Sequence, residues 1–331
     1  MVEAMSKKSL LFIGILSLSA GCLKPEIETN SAAVFQSFWE EMDRHYAFFD
    51  YKNIDWEAVY EQYASQAAKA DEAALRDLLC TIIEGLEDGH VNLYAPAGGC
   101  GYPFWERGPA AAPDFEHIAL AKTLEFSAAL QGGHLQQYPG LGYLWIKNFS
   151  GETGDYTRIS EVLDYFADTR GLIIDLRGNG GGSDRNSELI ASHFATETVL
   201  YRRFRYRNGP EHDDFTPWIE DYISPAGTDP YVKPVLLLTN RSCFSSTEDF
   251  ILAMRRFEQV QTVGDTTGGG SGNPIFRELP NGWVYRFSHW QMQTAAGEFF
   301  EGIGLPPDHW QPSSSQDTTD RVLERAIELL L

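Results

Sequence analysis

Two short apolar runs, GLIIDLR (residues 171–177) and PVLLLTN (residues 234–240), constrain the fold more than any other feature of the chain. A strand with one wet face alternates apolar and polar residues, whereas a strand covered on both faces does not need to. A helical pattern follows each run: RNSELIASHFA after the first and STEDFILAMRRF after the second. Strand followed by helix, twice over, predicts an α/β core with parallel pairing. GYLWIKNF, TVLYRRFRYR, VQTVGD and WVYRFSHWQMQT add further strand patterns, and DRVLERAIELLL closes the chain as an amphipathic helix.

Upstream of this core the texture differs. Residues 32–93 read as a helical bundle. AVFQSFWEEMDRHYAFF carries a helical apolar stripe, and Asp55 and Asp71 stand as N-caps before DWEAVYEQY and DEAALRDLL. Residues 94–140 open with APAGGCGYPFWERGPAAAPDF, rich in Gly, Pro and Ala, and read as a linker or loop region. The core is expected to occupy residues 141–331. A chain of 331 residues fits one large domain or two modest ones.

The net charge of −21 repels phosphate backbones and sets nucleic-acid binding aside. No CxxC or HExxH occurs and the eight histidines do not cluster at ligand spacing, so a zinc site is not expected. Residues 1–21 read as a signal peptide: Lys7 and Lys8 precede a short apolar stretch ending in small residues. The ending LSAGC resembles a bacterial lipobox. It implies lipidation of Cys22, a polar tether over 22–31, and an exported lipoprotein held at the outer membrane of a Gram-negative cell. Of the remaining cysteines, Cys80 and Cys100 could pair, with Cys243 left over.

Two stretches carry chemistry. DLRGNGGGSD, directly after the first buried strand, lets the backbone approach another group closely and expose successive amides. It lacks the spacing of nucleotide-binding loops. NRSCFSSTEDF places Ser245 and Ser246 at a strand-to-helix junction. Ser245 with Glu248 also fits an ordinary capping box.

In order along the chain, GLIIDLRGNGGG, NRSCFSSTEDF, TVGDTTGGG and EGIGLPPD resemble the tail-specific, or C-terminal processing, serine peptidases. LEDGHVNL extends the resemblance toward the N-terminus. It implies a crotonase/ClpP-like spiral α/β core with an N-terminal helical bundle, no cofactor, and hydrolysis of a peptide or protein substrate. By this resemblance Ser245 is the nucleophile, and the oxyanion hole is formed by backbone amides of Gly181 or Gly182 and of Ser246. Many members take a lysine as base about 25 residues further on, but that position is Gly270 and no lysine follows Lys233. The branch similar to the tricorn protease core uses a histidine instead. The matching residue here is His90, with Glu301 as the carboxylate that orients it. The serine that precedes the histidine in that branch is Gly89 here, so Asp88, water or direct contact would have to replace it. Only about 50 residues separate Leu93 from Gly142, too few for the PDZ domain that many members carry. Two other readings stay open: a non-catalytic protein binding peptides or apolar ligands on the same fold, and an esterase-like hydrolase.

Overall fold

The computed structural model describes residues 30–104, 118–314 and 316–331. The leader, Cys22 and its tether therefore lie outside the described residues. Four helices open the fold: α1 (Ser31–His45), α2 (Phe49–Lys52), α3 (Trp56–Ala67) and α4 (Glu72–Gly85). Asp55 and Asp71 cap α3 and α4, their carboxylates accepting from the amides of Ala58 and Ala74 at 3.0 and 2.9 Å. Such a bond satisfies one of the orphan amides of a first turn. Phe38, Phe49, Trp56 and Tyr285 pack their rings at tilted angles in the core of this lobe.

The chain continues through β1 (Asn92–Tyr94), β2 (Cys100–Gly101), β3 (Leu124–Glu125), β4 (Leu130–His134) and β5 (Leu141–Ile146). After α5 (Thr153–Tyr156) and α6 (Ile159–Tyr165) come β6 (Gly171–Asp175), α7 (Asp184–Ser192), β7 (Val199–Tyr206), β8 (Ile219–Ile223) and β9 (Val235–Thr239). The remainder is α8 (Ser246–Met254), β10 (Val260–Gly264), β11 (Pro274–Glu278), β12 (Val284–Ser288), β13 (Trp290–Thr294), β14 (His309–Trp310) and α9 (Arg321–Leu330).

The main sheet has the order β14-β10-β9-β6-β5-β4-β3. Its central strands β5, β6, β9 and β10 run parallel, and every residue of β6 and β9 is buried, as their apolar runs predict. The expected mixed α/β core with an N-terminal helical region is therefore what the chain forms.

Two features depart from the linear division read in the sequence. The stretch 94–140, expected as linker, supplies β2, β3 and β4, and β4 pairs antiparallel with β5 as part of the main sheet. The second departure is β11–β12, which pairs not with the core around it but with β1, giving a separate sheet of order β11-β12-β1-β2. Leu279, Trp283, Tyr285 and Phe287 from this hairpin pack into the N-terminal lobe. Non-local pairing of this kind leaves no periodic signal in the strand itself. A disulfide between Cys80 and Cys100 ties α4 to β2.

Candidate active site

Ser245 sits between β9 and α8 with φ +58° and ψ −129°. A non-glycine residue reaches that region only when its surroundings force it, and such strain concentrates at functional positions. An ordinary N-cap is extended instead. Glu248 holds the turn from inside the helix. Its buried carboxylate accepts from the amides of Ser245, Gly269 and Gly270 at 3.1, 2.9 and 2.7 Å, and from the Thr267 hydroxyl. Burial pushes the Glu248 carboxyl up to about 7, against the pull of those donors.

The glycine cluster closes on this turn. A Cβ on Gly181, whose φ is +94°, would stand 2.6 Å from the Phe244 carbonyl and 2.9 Å from the Ser246 amide, so only glycine allows the approach. The Gly181 amide donates to Asn179 Oδ1 at 3.0 Å, and Thr247 Oγ1 donates to the same oxygen at 2.7 Å. Among the described residues no hydrogen bond takes the amides of Gly182 or Ser246, which leaves both free to meet a developing oxyanion.

His90 lies in the turn before β1. Its backbone amide donates to Asp88 Oδ1 at 2.8 Å, and its ring packs 4.6 Å from that of Phe244. Burial lowers its pKa to about 4; the Asp88 charge opposes this and Arg286 adds to it. The imidazole is thus neutral near pH 7, as a general base must be. Its Nδ1 is buried and has no hydrogen-bond partner among the described residues. Gly89 has a steric cause: a Cβ there would come within 2.5 Å of Phe104 Cδ1 and 2.8 Å of Phe244 Cζ. No serine fits at that position beside the stacked Phe104 and Phe244 rings.

Glu301 is buried behind the cavity. Its Oε2 accepts from both the amide and the hydroxyl of Ser271 at 2.8 Å. Lys52 Nζ is 3.7 Å from Oε1 and donates to the Glu87 carbonyl at 2.9 Å. Burial, reinforced by the charge of Asp88, pushes the Glu301 carboxyl up to about 8, with Lys52 and Ser271 pulling the other way. Asp88 itself accepts from the Ser288 hydroxyl at 2.7 Å.

A cavity of about 440 Å³ joins these parts. Ser245, Ser246, Gly181, Gly182 and His90 all line it, whereas Glu301 reaches it through Ser271, which also lines it. One wall comes from the core: the glycine cluster, Ser245 and Asp249. The other comes from the N-terminal lobe and its sheet: His90, Pro274 and Arg286. Sequence reasoning did not single out Ser271, Lys52 or Arg286. Ser271 stands in TTGGGSG, where the one available signal was a hydroxyl beside a glycine turn. Among the described residues no group of three His, Cys, Asp or Glu side chains is placed to hold a metal ion, and no helix is long and apolar enough to cross a membrane.

Residues 140–310 match the model of peptidase family S41, and residues 28–82 match that of the tricorn protease C1 domain. The chain belongs to peptidase family S41. Among similar S41 relatives is the carboxy-terminal processing protease CtpB of Bacillus subtilis, 29% identical over 168 residues, which is 50% of this chain and 33% of that protein. This S41 chain thus spans about a third of the length of the curated relatives it matches. A crystal structure of a candidate peptidase from Parabacteroides merdae is similar with TM-score 0.83 and 33% identity, covering 91% of this chain and 97% of that one. The photosystem II D1 C-terminal processing protease shares the fold, with TM-score 0.54 and 16% identity over 91% of this chain and 97% of its own. The motif resemblance to tail-specific peptidases agrees with this membership.

Proposed function

We propose that this S41 chain is a serine peptidase that hydrolyses peptide bonds through an acyl-enzyme on Ser245. The observation that carries the reading is the positive-φ backbone at Ser245, aimed into a cavity that a buried, neutral His90 also lines. In this reading His90 takes the Ser245 proton as Oγ attacks the scissile carbonyl. The amides of Gly182 and Ser246 stabilise the resulting oxyanion, and His90 returns the proton to the leaving amine as the C–N bond breaks. Water then attacks the ester, again losing its proton to His90, and the Ser245 hydroxyl is regenerated.

Glu301 is the group that orients the imidazole, acting through Ser271, and burial keeps its carboxyl largely protonated near pH 7. The Ser271 hydroxyl donates to Glu301 and keeps lone pairs to accept from the imidazole. In this reading the Ser271 hydroxyl turns to meet the imidazole Nδ1, which has no partner among the described residues, and so takes the place of the relay that Gly89 cannot supply, with Asp88 adding negative charge nearby. We also propose export and lipid anchoring at Cys22, on the strength of LSAGC. Metabolic incorporation of an alkynyl palmitate into the chain, lost in Cys22→Ala, tests that part.

A fluorophosphonate probe tests the nucleophile. Mass spectrometry should find the adduct on Ser245, and labelling should vanish in His90→Ala. An adduct on Ser246 would move the nucleophile by one residue. No adduct on folded protein would favour a binding protein on this fold. Matched peptide and ester substrates would then separate peptidase from esterase.

A further inference from the structure

Arg286 is a cation in the active cavity that no carboxylate among the described residues neutralises. It lies on β12 opposite Asn92 of β1, and its Nε donates to Asn92 Oδ1 at 2.6 Å. No ion pair reaches it among the described residues, although the chain carries a net charge of −21. Among the described residues the terminal nitrogens of its guanidinium are uncommitted, and Arg286 lines the same cavity as Ser245 and His90. A guanidinium oriented through Nε offers a planar fork suited to a carboxylate.

Its place in the fold gives it a side. The base must face the leaving nitrogen in order to return a proton to it, and Arg286 pairs across the sheet with Asn92, two residues after His90, close enough for its charge to lower the His90 pKa. The oxyanion donors belong to the opposite wall, built by the core. That wall also bears Asp249 and Asp184, both already paired with Arg202 at 2.9 and 3.1 Å. Its one lysine, Lys147, has its ammonium over the Trp145 ring at 5.4 Å. Because the single Arg202 is shared by Asp184, Glu188, Asp221 and Asp249, this region stays net negative even with Lys147, and an anionic group is favoured at Arg286 instead.

The local structure is organised to hold this arginine still. Gly101 faces Asn92 across β1–β2, and a Cβ there would stand 2.0 Å from Asn92 Nδ2. The neighbouring Cys100 is fixed to α4 by its disulfide. Disulfide, glycine, asparagine and arginine form one chain of support ending in the cavity.

We propose that Arg286 anchors a carboxylate of the substrate on the leaving-group side of the scissile bond. The proposal rests on the peptidase reading and narrows its substrate class to peptides with a negative charge just beyond the cut. That charge can be an Asp or Glu side chain or the peptide's own C-terminus.

The test is a set of quenched fluorescent peptides cleaved by the full chain. They differ only after the cut: Asp against Asn, and free acid against amide. Hydrogen bonds to a charged group predict a preference of about tenfold or more in kcat/KM for the carboxylate member of a pair. A preference confined to the Asp/Asn pair identifies a side-chain carboxylate, and one confined to the acid/amide pair identifies the C-terminus. Arg286→Gln should erase the preference, and Arg286→Lys should keep part of it. Equal rates within both pairs, or a preference that survives in Arg286→Gln, would overturn the assignment. So would a uniform loss in Arg286→Gln that leaves the ratio intact, since that marks a structural role. Should the wild type neither cleave peptides nor take the fluorophosphonate, the peptidase reading fails by itself. Fluorescence anisotropy with the same peptides, wild type against Arg286→Gln, then decides the anchor independently.

Discussion

Ser271 gives both its hydroxyl and its amide to a single oxygen of Glu301, each at 2.8 Å. A carboxylate held twice by one residue has a fixed direction, and the hydroxyl is fixed with it. Removing the hydroxyl while leaving the amide isolates the relay from the fold. Ser271→Ala should lower kcat by roughly 10- to 100-fold, a part of what acid–base catalysis contributes. KM should stay within about twofold, since little ground-state binding is lost. Steady-state kinetics on a cleaved peptide check this, and an unchanged kcat would remove Ser271 from the mechanism.

Gly89 should resist repair toward the serine of the tricorn-like branch. In Gly89→Ser the new Cβ meets ring carbons of Phe104 and Phe244 at 2.5 and 2.8 Å. Rings cannot yield as a flexible chain end would, and overpacking of this kind costs about 1–3 kcal/mol. Urea denaturation should show that loss, with no gain in activity. A more active variant would mean that the rings move aside readily.

The low pKa of His90 sets an acid limb. The imidazole drops from 6.5 to about 4 on folding, so the native state disfavours its proton. Activity should persist well below pH 6 and fall only toward pH 4. The same shift affects stability. The contribution is fully present above pH 6.5 and is lost as pH falls from there through 4, because the unfolded chain binds the proton more readily. His90→Gln should flatten this dependence in denaturation curves measured from pH 7 down to 4.5. A wild-type activity midpoint near 6.5 would contradict the buried, neutral base.

Glu301 has the opposite sign. Its carboxyl rises from 4.5 to about 8, so the folded state favours the protonated form. That preference stabilises the fold below pH 4.5 and is lost as pH rises through 8. Glu301→Gln, neutral throughout, should therefore gain stability relative to the wild type across this window. The gain should grow from pH 5 to pH 9, while kcat falls. Chemical denaturation at pH 5 and pH 9 reads the difference directly. Equal stability differences at both pH values would show that Lys52 and Ser271 fully offset the burial.

Much of this was legible in the sequence because it is local. The runs that became β6 and β9 announce burial on both faces, and the serine pair and glycine cluster lie directly at their ends. His90 and Glu301 were reached only through a motif resemblance, because 211 positions separate them and no short-range rule joins them. Ser271 escaped notice because its stretch drew attention to a missing lysine rather than to a hydroxyl. Arg286 reads as one polar position in an alternating strand. Its meaning depends on pairing with Asn92, 194 residues away. Gly89 looked like a lost catalytic serine until the Phe104 and Phe244 rings supplied the cause.

The hairpin of β11 and β12 makes the N-terminal lobe depend on a segment of the chain that comes late. Until residues 274–288 exist, β1 has no partner on one side and the turn bearing His90 has no backing sheet. The strand that brings Arg286 is the same one. Ordering contacts this distant in sequence is slow, because the intervening chain must be constrained before the contacts reward it. On the mechanism proposed above, a half-folded chain exposes Ser245 before the turn bearing His90 is backed. On that same proposal the fold is its own timer, withholding hydrolytic power during the interval when unfolded copies of this chain would be the nearest available peptides.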